Sequence, residues 1–290
     1  MFKGAGVAIV TPFKDGKFDT EAYERLIDFQ IENGTRALIV LGTTGEASTL
    51  NYEEREEVIK TAIEKNAKRI PIIVGTGSNC TDTAVKYTKQ AEELGADGIL
   101  IVTPYYNKCT NKGMIAHFTA VANATKLPVI LYNVPGRTAV NIPPDVIVAM
   151  SKVENVIGIK EASGNISQVL EIKRLVPEDF MIYSGNDDQV IPIYACGGHG
   201  VISVASNVIP KEMQQMCEAF MNGDAIEALR LQLKYKRFID LLFSEVNPIP
   251  VKAALAEMGY IENELRLPLT PMEEANKNKL VEEMRELNLI

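Results

Sequence analysis

The chain has 290 residues, 46% of them hydrophobic and 23% charged, and a formal net charge of -8. That length and apolar content suffice for one large α/β domain, or a barrel with an appendage. The acidic balance, with no basic patch, excludes a nucleic-acid surface. The apolar stretches are strand-sized, and the N-terminus MFKGAGVAIVTPF lacks the apolar core and cleavage site of a signal peptide. No membrane span is expected, and the default location is cytoplasmic.

Short apolar runs recur along the chain at Val7 to Val10, Ala37 to Leu41, Ile70 to Val74, Gly98 to Val102, Pro128 to Tyr132, Val156 to Lys160, Phe180 to Tyr183 and Val201 to Val204. Segments with helical spacing lie between them, such as Tyr23, Leu26, Ile27 and Ile31, or Ala84, Tyr87, Ala91 and Leu94. Asp19 precedes the first of these helices, and Gly34 and Gly95 close the first and third. Continuous apolar strands alternating with helices indicate a parallel sheet covered by helices. Eight such units point to a closed barrel rather than an open sheet, the TIM (β/α)8 barrel. After the eighth run the pattern is helical only, so residues 1–223 are expected to form the catalytic barrel and 224–290 a C-terminal helical extension. A doubly wound sheet is the alternative, but Gly42-Thr43-Thr44-Gly45-Glu46 does not match the dinucleotide fingerprint GxGxxG.

A barrel places its active site at the C-terminal ends of its strands. The second run ends in GTTGE, where Thr43 and Thr44 would line a pocket presenting backbone N–H groups to a small anion such as a carboxylate. The fourth leads into Thr103-Pro104-Tyr105-Tyr106-Asn107 and the fifth ends in Tyr132-Asn133-Val134-Pro135-Gly136-Arg137, which puts phenols near the barrel mouth and a two-pronged cation beside them. The sixth run ends in Lys160, where an apolar strand delivers an amine. In isolation this is a strand-end lysine snorkelling into water. Buried, it can lose its proton near neutral pH and attack a carbonyl carbon to form a Schiff base. Tyr132 lies on the neighbouring strand, within reach for proton transfer during imine chemistry.

Other features read as structural. Asp187 and Asp188 would repel a phosphate and sit where a helix start takes carboxylates, so they are assigned to capping. His199 falls in a Gly197-Gly198-His199-Gly200 turn, and with His117 is one of only two histidines, too few for a histidine metal centre. Cys80, Cys109, Cys196 and Cys217 are widely spaced, with no CxxC pair, and read as reduced thiols.

The motifs GTTGE, TPYYN, YNVPGRT and GIKEASG, in this order, resemble the pyruvate-dependent class I aldolase family, and within it the dihydrodipicolinate synthases. The likeness spans essentially the whole chain. It implies a barrel enzyme that joins pyruvate to L-aspartate-4-semialdehyde in diaminopimelate and lysine biosynthesis, with no metal or organic cofactor. By the same resemblance Lys160 forms the imine, Tyr132 donates and accepts protons, and Thr43 and Tyr106 complete a relay. Thr44 and Ile202 would hold pyruvate through backbone groups, and Arg137 would take the carboxylate of the semialdehyde. Tyr106 is expected to come from a neighbouring subunit of a homotetramer built as a dimer of dimers. Positions that serve lysine feedback in some members align with Tyr52, Arg55 and Thr83, and none keeps the histidine or glutamate found there, so weak or absent feedback is expected even though Ser48, Asn79 and Tyr105 remain.

Two rivals stand beside this reading. A sialic acid lyase or keto-deoxy-sugar aldolase would share the lysine and tyrosine but has no use for Arg137. A catalytically silent carboxylate-binding barrel would have no need of Lys160, Tyr132, Thr43 and Tyr106 together.

Overall fold

Strands that are apolar on every residue are stable only where both faces are covered, one by the barrel interior and one by helices. The computed structural model describes residues 1–290 and has this arrangement. Its barrel strands are β1 (Gly4–Ala8), β2 (Ala37–Val40), β3 (Ile72–Gly75), β4 (Gly98–Val102), β5 (Val129–Asn133), β6 (Val156–Glu161), β7 (Met181–Ser184) and β8 (Gly200–Ser203). All pair in parallel and β1 closes on β8, so the expected eight-stranded barrel is present. Two apolar cores result. A small one fills the barrel, with Phe2, Ile39, Ile73, Leu100, Ile130 and Tyr183 among its members. A much larger one lies between the strands and the helical ring.

The helix signals act as expected. Asp19 accepts the N–H of Ala22 at 3.0 Å at the start of the helix Thr20–Glu32. Gly34 and Gly95 end their helices at φ of +85° and +95°, conformations that cost glycine least. The first strand, however, begins earlier than the Val7 to Val10 run, because Gly4, Ala5 and Gly6 belong to it. A Cβ on Gly6 would lie 2.8 Å from both Ile39 Cδ1 and Phe2 Cζ, so close packing demands a residue with no apolar signature. A two-stranded hairpin, Phe13–Lys14 with Lys17–Phe18, was too short to be legible.

Beyond the helix Pro210–Met221 come only helices: Ala225–Lys234, Lys236–Leu242, Ile249–Glu257 and Glu274–Glu286. Phe238, Leu242, Val251, Leu255 and Met284 bury them against the barrel. None of the helices in the chain is long and apolar enough to cross a membrane. An internal ion pair fastens this extension to the GTTGE loop. Lys252 Nζ lies 2.6 Å from Glu46 Oε1, the two side chains are 0% and 1% exposed, and Nζ also donates to Thr11 O at 3.0 Å. Glu46 Oε2 accepts the main-chain N–H of Arg266 at 3.1 Å, so the carboxylate is held on both oxygens. Arg266 in turn donates to both oxygens of Glu54, at 2.8 and 2.6 Å.

Candidate active site

The parity of β6 turns Lys160 inward, where it is 5% exposed. It stands in register with Tyr132 on β5 and with Tyr183 on β7. Its Nζ lies 4.4 Å from the centroid of the Tyr132 ring. The chain leaving β7 passes close over the lysine stem, and a Cβ on Gly185 would sit 3.1 Å from Lys160 Cε, so a glycine permits the approach.

Burial dominates the electrostatics of this pair. It disfavours the ammonium form and lowers the Lys160 pKa to about 8, with Asp187 pulling it upward and Arg137 pushing it further down. The Tyr132 phenol is pushed up to about 12 by burial, with Arg137 and the Thr43 side chain working in the opposite direction. The amine is therefore readily freed of its proton, while the phenol keeps its own until a base takes it.

Thr43 and Thr44 lie on the turn after β2. The turn is bracketed by Leu41 and Glu46, both in the left-handed region at φ of +57° and +50°, and it closes through Gly45 N to Gly42 O and Glu46 N to Thr43 O, each at 3.1 Å. Such backbone conformations persist only where surrounding structure enforces them, here the Lys252 ion pair. Thr44 Oγ1 accepts from Asn247 Nδ2 at 3.0 Å. The main-chain oxygen of Asn247 accepts from Arg137 NH2, also at 3.0 Å. One residue of the extension thus orients both the anion-side threonine and the cation at the rim.

A cavity of about 1080 Å³ opens above these groups, with Thr43, Thr44, Tyr132, Arg137 and Lys160 in its wall. Phe243, Val246 and Asn247 of the extension cover part of it. Ser48, Arg55, Thr83, Tyr87 and Tyr105 also line it. There the Arg55 guanidinium is 4.0 Å from the Tyr87 ring centroid and donates to Gly75 O at 2.8 Å. Two expected residues are not in the cavity wall. Tyr106 is 91% exposed on the chain's surface, at φ of +70°. Ile202 is in β8, and its side chain is buried in the barrel interior.

The capping assignment needs correction for Asp187. Asp188 is exposed, but Asp187 is buried, and its carboxylate accepts the N–H groups of Val204 and Ala205, both at 3.0 Å, at the end of β8 rather than at its own helix start. The sequence offers one clue to it, an acid three residues beyond the end of an apolar strand, after Gly185 and Asn186. Asn247 had no such signal, since its partner Thr44 is 203 residues away. His199 is structural as expected, its Nδ1 accepting the N–H of Ile182 at 3.1 Å. All four cysteines are free. No group of three or more His, Cys, Asp or Glu side chains is placed to hold a metal ion.

A buried amine of lowered pKa against a phenol, with threonines on one side and a guanidinium on the rim, is suited to carbonyl chemistry on a small acidic substrate. Known proteins agree with that geometry. Residues 1–287 match the model of the dihydrodipicolinate synthetase family. The chain is 75% identical, over the full length of both, to the 4-hydroxy-tetrahydrodipicolinate synthase of Alkaliphilus oremlandii, and 50% identical, again over both full lengths, to that of Thermotoga neapolitana. The crystal structure of dihydrodipicolinate synthase from Thermotoga maritima superposes with a TM-score of 0.98 at 48% identity, covering 100% of each chain. A monomeric dihydrodipicolinate synthase variant matches with a TM-score of 0.98 at 47% identity, covering 100% of this chain and 98% of that one. With fold, site and sequence in accord along its length, the chain belongs to the dihydrodipicolinate synthetase family.

Proposed function

We propose that this protein is a Schiff-base-forming lyase that performs the 4-hydroxy-tetrahydrodipicolinate synthase reaction. It condenses pyruvate with L-aspartate-4-semialdehyde at the first committed step of diaminopimelate and lysine biosynthesis. The observation that carries the reading is the buried Lys160 amine in register with Tyr132. The free amine adds to the keto carbon of pyruvate, and loss of water leaves a protonated imine. Removal of a methyl proton gives an enamine, with the imine as electron sink. The enamine carbon then bonds to the aldehyde carbon, and attack by the semialdehyde's own amine on the imine carbon closes the ring and expels Lys160.

In this reading Tyr132 carries protons to and from the reacting atoms, with Thr43 and the Tyr106 of a neighbouring subunit completing the relay. Thr44 and the Ile202 backbone hold the pyruvate carboxylate, and Arg137 takes that of the semialdehyde. The exposure of Tyr106, at 91%, supports a role outside its own chain. We accordingly assign a homotetramer built as a dimer of dimers, to be checked by sedimentation, because one solved relative is a monomeric variant. The barrel of residues 1–223 carries the chemistry, the extension 224–290 organises its rim, and the enzyme works in the cytoplasm.

The decisive experiment joins two assays. Pyruvate with borohydride should add mass to the native protein and not to Lys160→Ala, and pyruvate plus the semialdehyde should be consumed rapidly when a downstream reductase is coupled. Trapping without turnover would move the chain to a sugar aldolase, and trapping in Lys160→Ala would sink the assignment.

A further inference from the structure

Asp187 is a buried titratable group that the reaction just written does not use. It is 2% exposed and not in the cavity wall. Oδ2 is fixed by the Val204 and Ala205 N–H groups, and the residue's own carbonyl accepts from Gln232 Nε2 at 2.9 Å. The other carboxylate oxygen, Oδ1, is buried with no partner in hydrogen-bonding geometry, and besides the two N–H groups the Ser203 side chain is the only neutral donor acting on the carboxylate. Leaving an oxygen of a carboxylate dry and unpaired is costly unless a cation shares its surroundings. Two residues earlier Gly185 packs on the Lys160 stem, so the turn carrying Asp187 wraps the lysine.

The groups around the pair leave few other candidates. Lys160 faces Tyr132 on β5, Arg137 beyond it, Tyr183 on β7 and Asp187. The Tyr183 hydroxyl is spent on Phe2 O at 2.8 Å, and Arg137 is a like charge. Glu161, next along β6, is turned away onto Asn133 and Ser163. Burial raises the Asp187 pKa, while Ser203, the Ala205 and Val204 N–H groups and the charge of Lys160 favour its ionised form; on the helix Pro210–Met221 it is also within electrostatic reach of the neutral Cys217 thiol, whose ionisation burial opposes.

We propose that Asp187 is the fixed counter-charge of the Lys160 nitrogen, steadying the ammonium before reaction and the positive imine nitrogen after water has left. The inference rests on the imine chemistry assigned to Lys160. Asp187 acts through the lysine and is a positioning residue. A carboxylate balances the repulsion from Arg137, which the semialdehyde's carboxylate requires at the rim. Without it the unliganded site would set the Lys160 ammonium beside the Arg137 guanidinium with no protein carboxylate acting on the amine.

Asp187→Asn is the informative variant, because its amide oxygen can keep both backbone hydrogen bonds while the charge is lost. The readout is the pH dependence of pyruvate trapping by borohydride. The acid-side midpoint should move down by about one pH unit, the size expected from removing one nearby charge, and the fraction of imine at saturating pyruvate should fall. Asp187→Glu should return the midpoint towards the native value. An unchanged midpoint in folded Asp187→Asn overturns the inference alone, whereas native protein that traps no pyruvate overturns the Schiff-base reading with it. Should the Asn variant not fold, infrared difference spectra of native protein carrying 13C-labelled aspartate decide the matter. An ionised buried carboxylate in the imine state is expected, and a protonated one overturns the proposal.

Discussion

Tyr132 and Lys160 stand opposite each other across β5 and β6, with the lysine nitrogen 4.4 Å from the phenol ring centroid. Burial keeps the phenol protonated and the amine close to losing its proton, two opposite demands met by one environment. Removing only the hydroxyl separates the two roles. Tyr132→Phe should lower kcat by about 10²- to 10⁴-fold, the usual yield of a positioned proton donor, while Lys160 still traps pyruvate. Turnover within a few-fold of native would remove Tyr132 from the chemistry.

The lysine also sets a pH dependence. Only the neutral amine attacks a carbonyl, and with its pKa lowered to about 8 by burial the free amine is lost as pH falls through that value. The initial trapping rate with pyruvate should therefore rise up to about pH 8 and level off above it, falling roughly tenfold per unit well below. An ordinary lysine would still be gaining rate near pH 10. A midpoint there would mean that water reaches Nζ freely.

Much of this was legible in the sequence, for identifiable reasons. A barrel strand is apolar on both faces, so each of the eight runs announced itself, and the polar residue that ended a run, Lys160 above all, marked the catalytic end. Where packing demands glycine the signal fails, as at Gly4 and Gly6 in β1. Contacts between distant segments fail too. Nothing local distinguishes Asn247, whose amide and carbonyl orient Thr44 and Arg137, or Lys252, a helix lysine that is wholly buried.

Lys252 should accordingly prove a stability residue. Replacing it with Met leaves the Glu46 carboxylate buried without its partner, which costs about 3–5 kcal/mol, whereas replacing both partners with apolar residues is far milder. Lys252→Met should unfold at clearly lower denaturant than native protein, and Glu46→Leu with Lys252→Met should recover much of the loss. The double variant should still be slow, since the turn holding Thr43 and Thr44 loses its anchor. Full activity in it would show that the ion pair does not shape that turn.

Feedback by lysine should be weak or absent. In the cavity wall Arg55 is 3% exposed and locked between Gly75 O and the Tyr87 ring, and burial already lowers its pKa to about 10. A guanidinium so placed repels an incoming ammonium group. Rate assays with lysine at millimolar concentration should show little change. Strong inhibition would require Arg55 to swing away and would contradict the geometry.

Arg137 separates the two substrates. Its guanidinium is exposed on the rim and tethered only through NH2 to Asn247 O at 3.0 Å, which leaves donors free for a carboxylate. Losing a hydrogen bond to a charged group costs about 1.5–3 kcal/mol, so Arg137→Ala should cut kcat/KM for the semialdehyde roughly ten- to hundredfold. Pyruvate trapping should survive, because Thr43, Thr44 and Lys160 remain. Removing a cation also relieves its repulsion of the Lys160 ammonium, so the trapping midpoint in the same variant should move to higher pH. Asn247→Ala breaks the tether without removing charge and should raise KM for the semialdehyde with the midpoint unmoved. If both variants shifted the midpoint alike, the guanidinium would be acting through the shape of the rim and not through its charge.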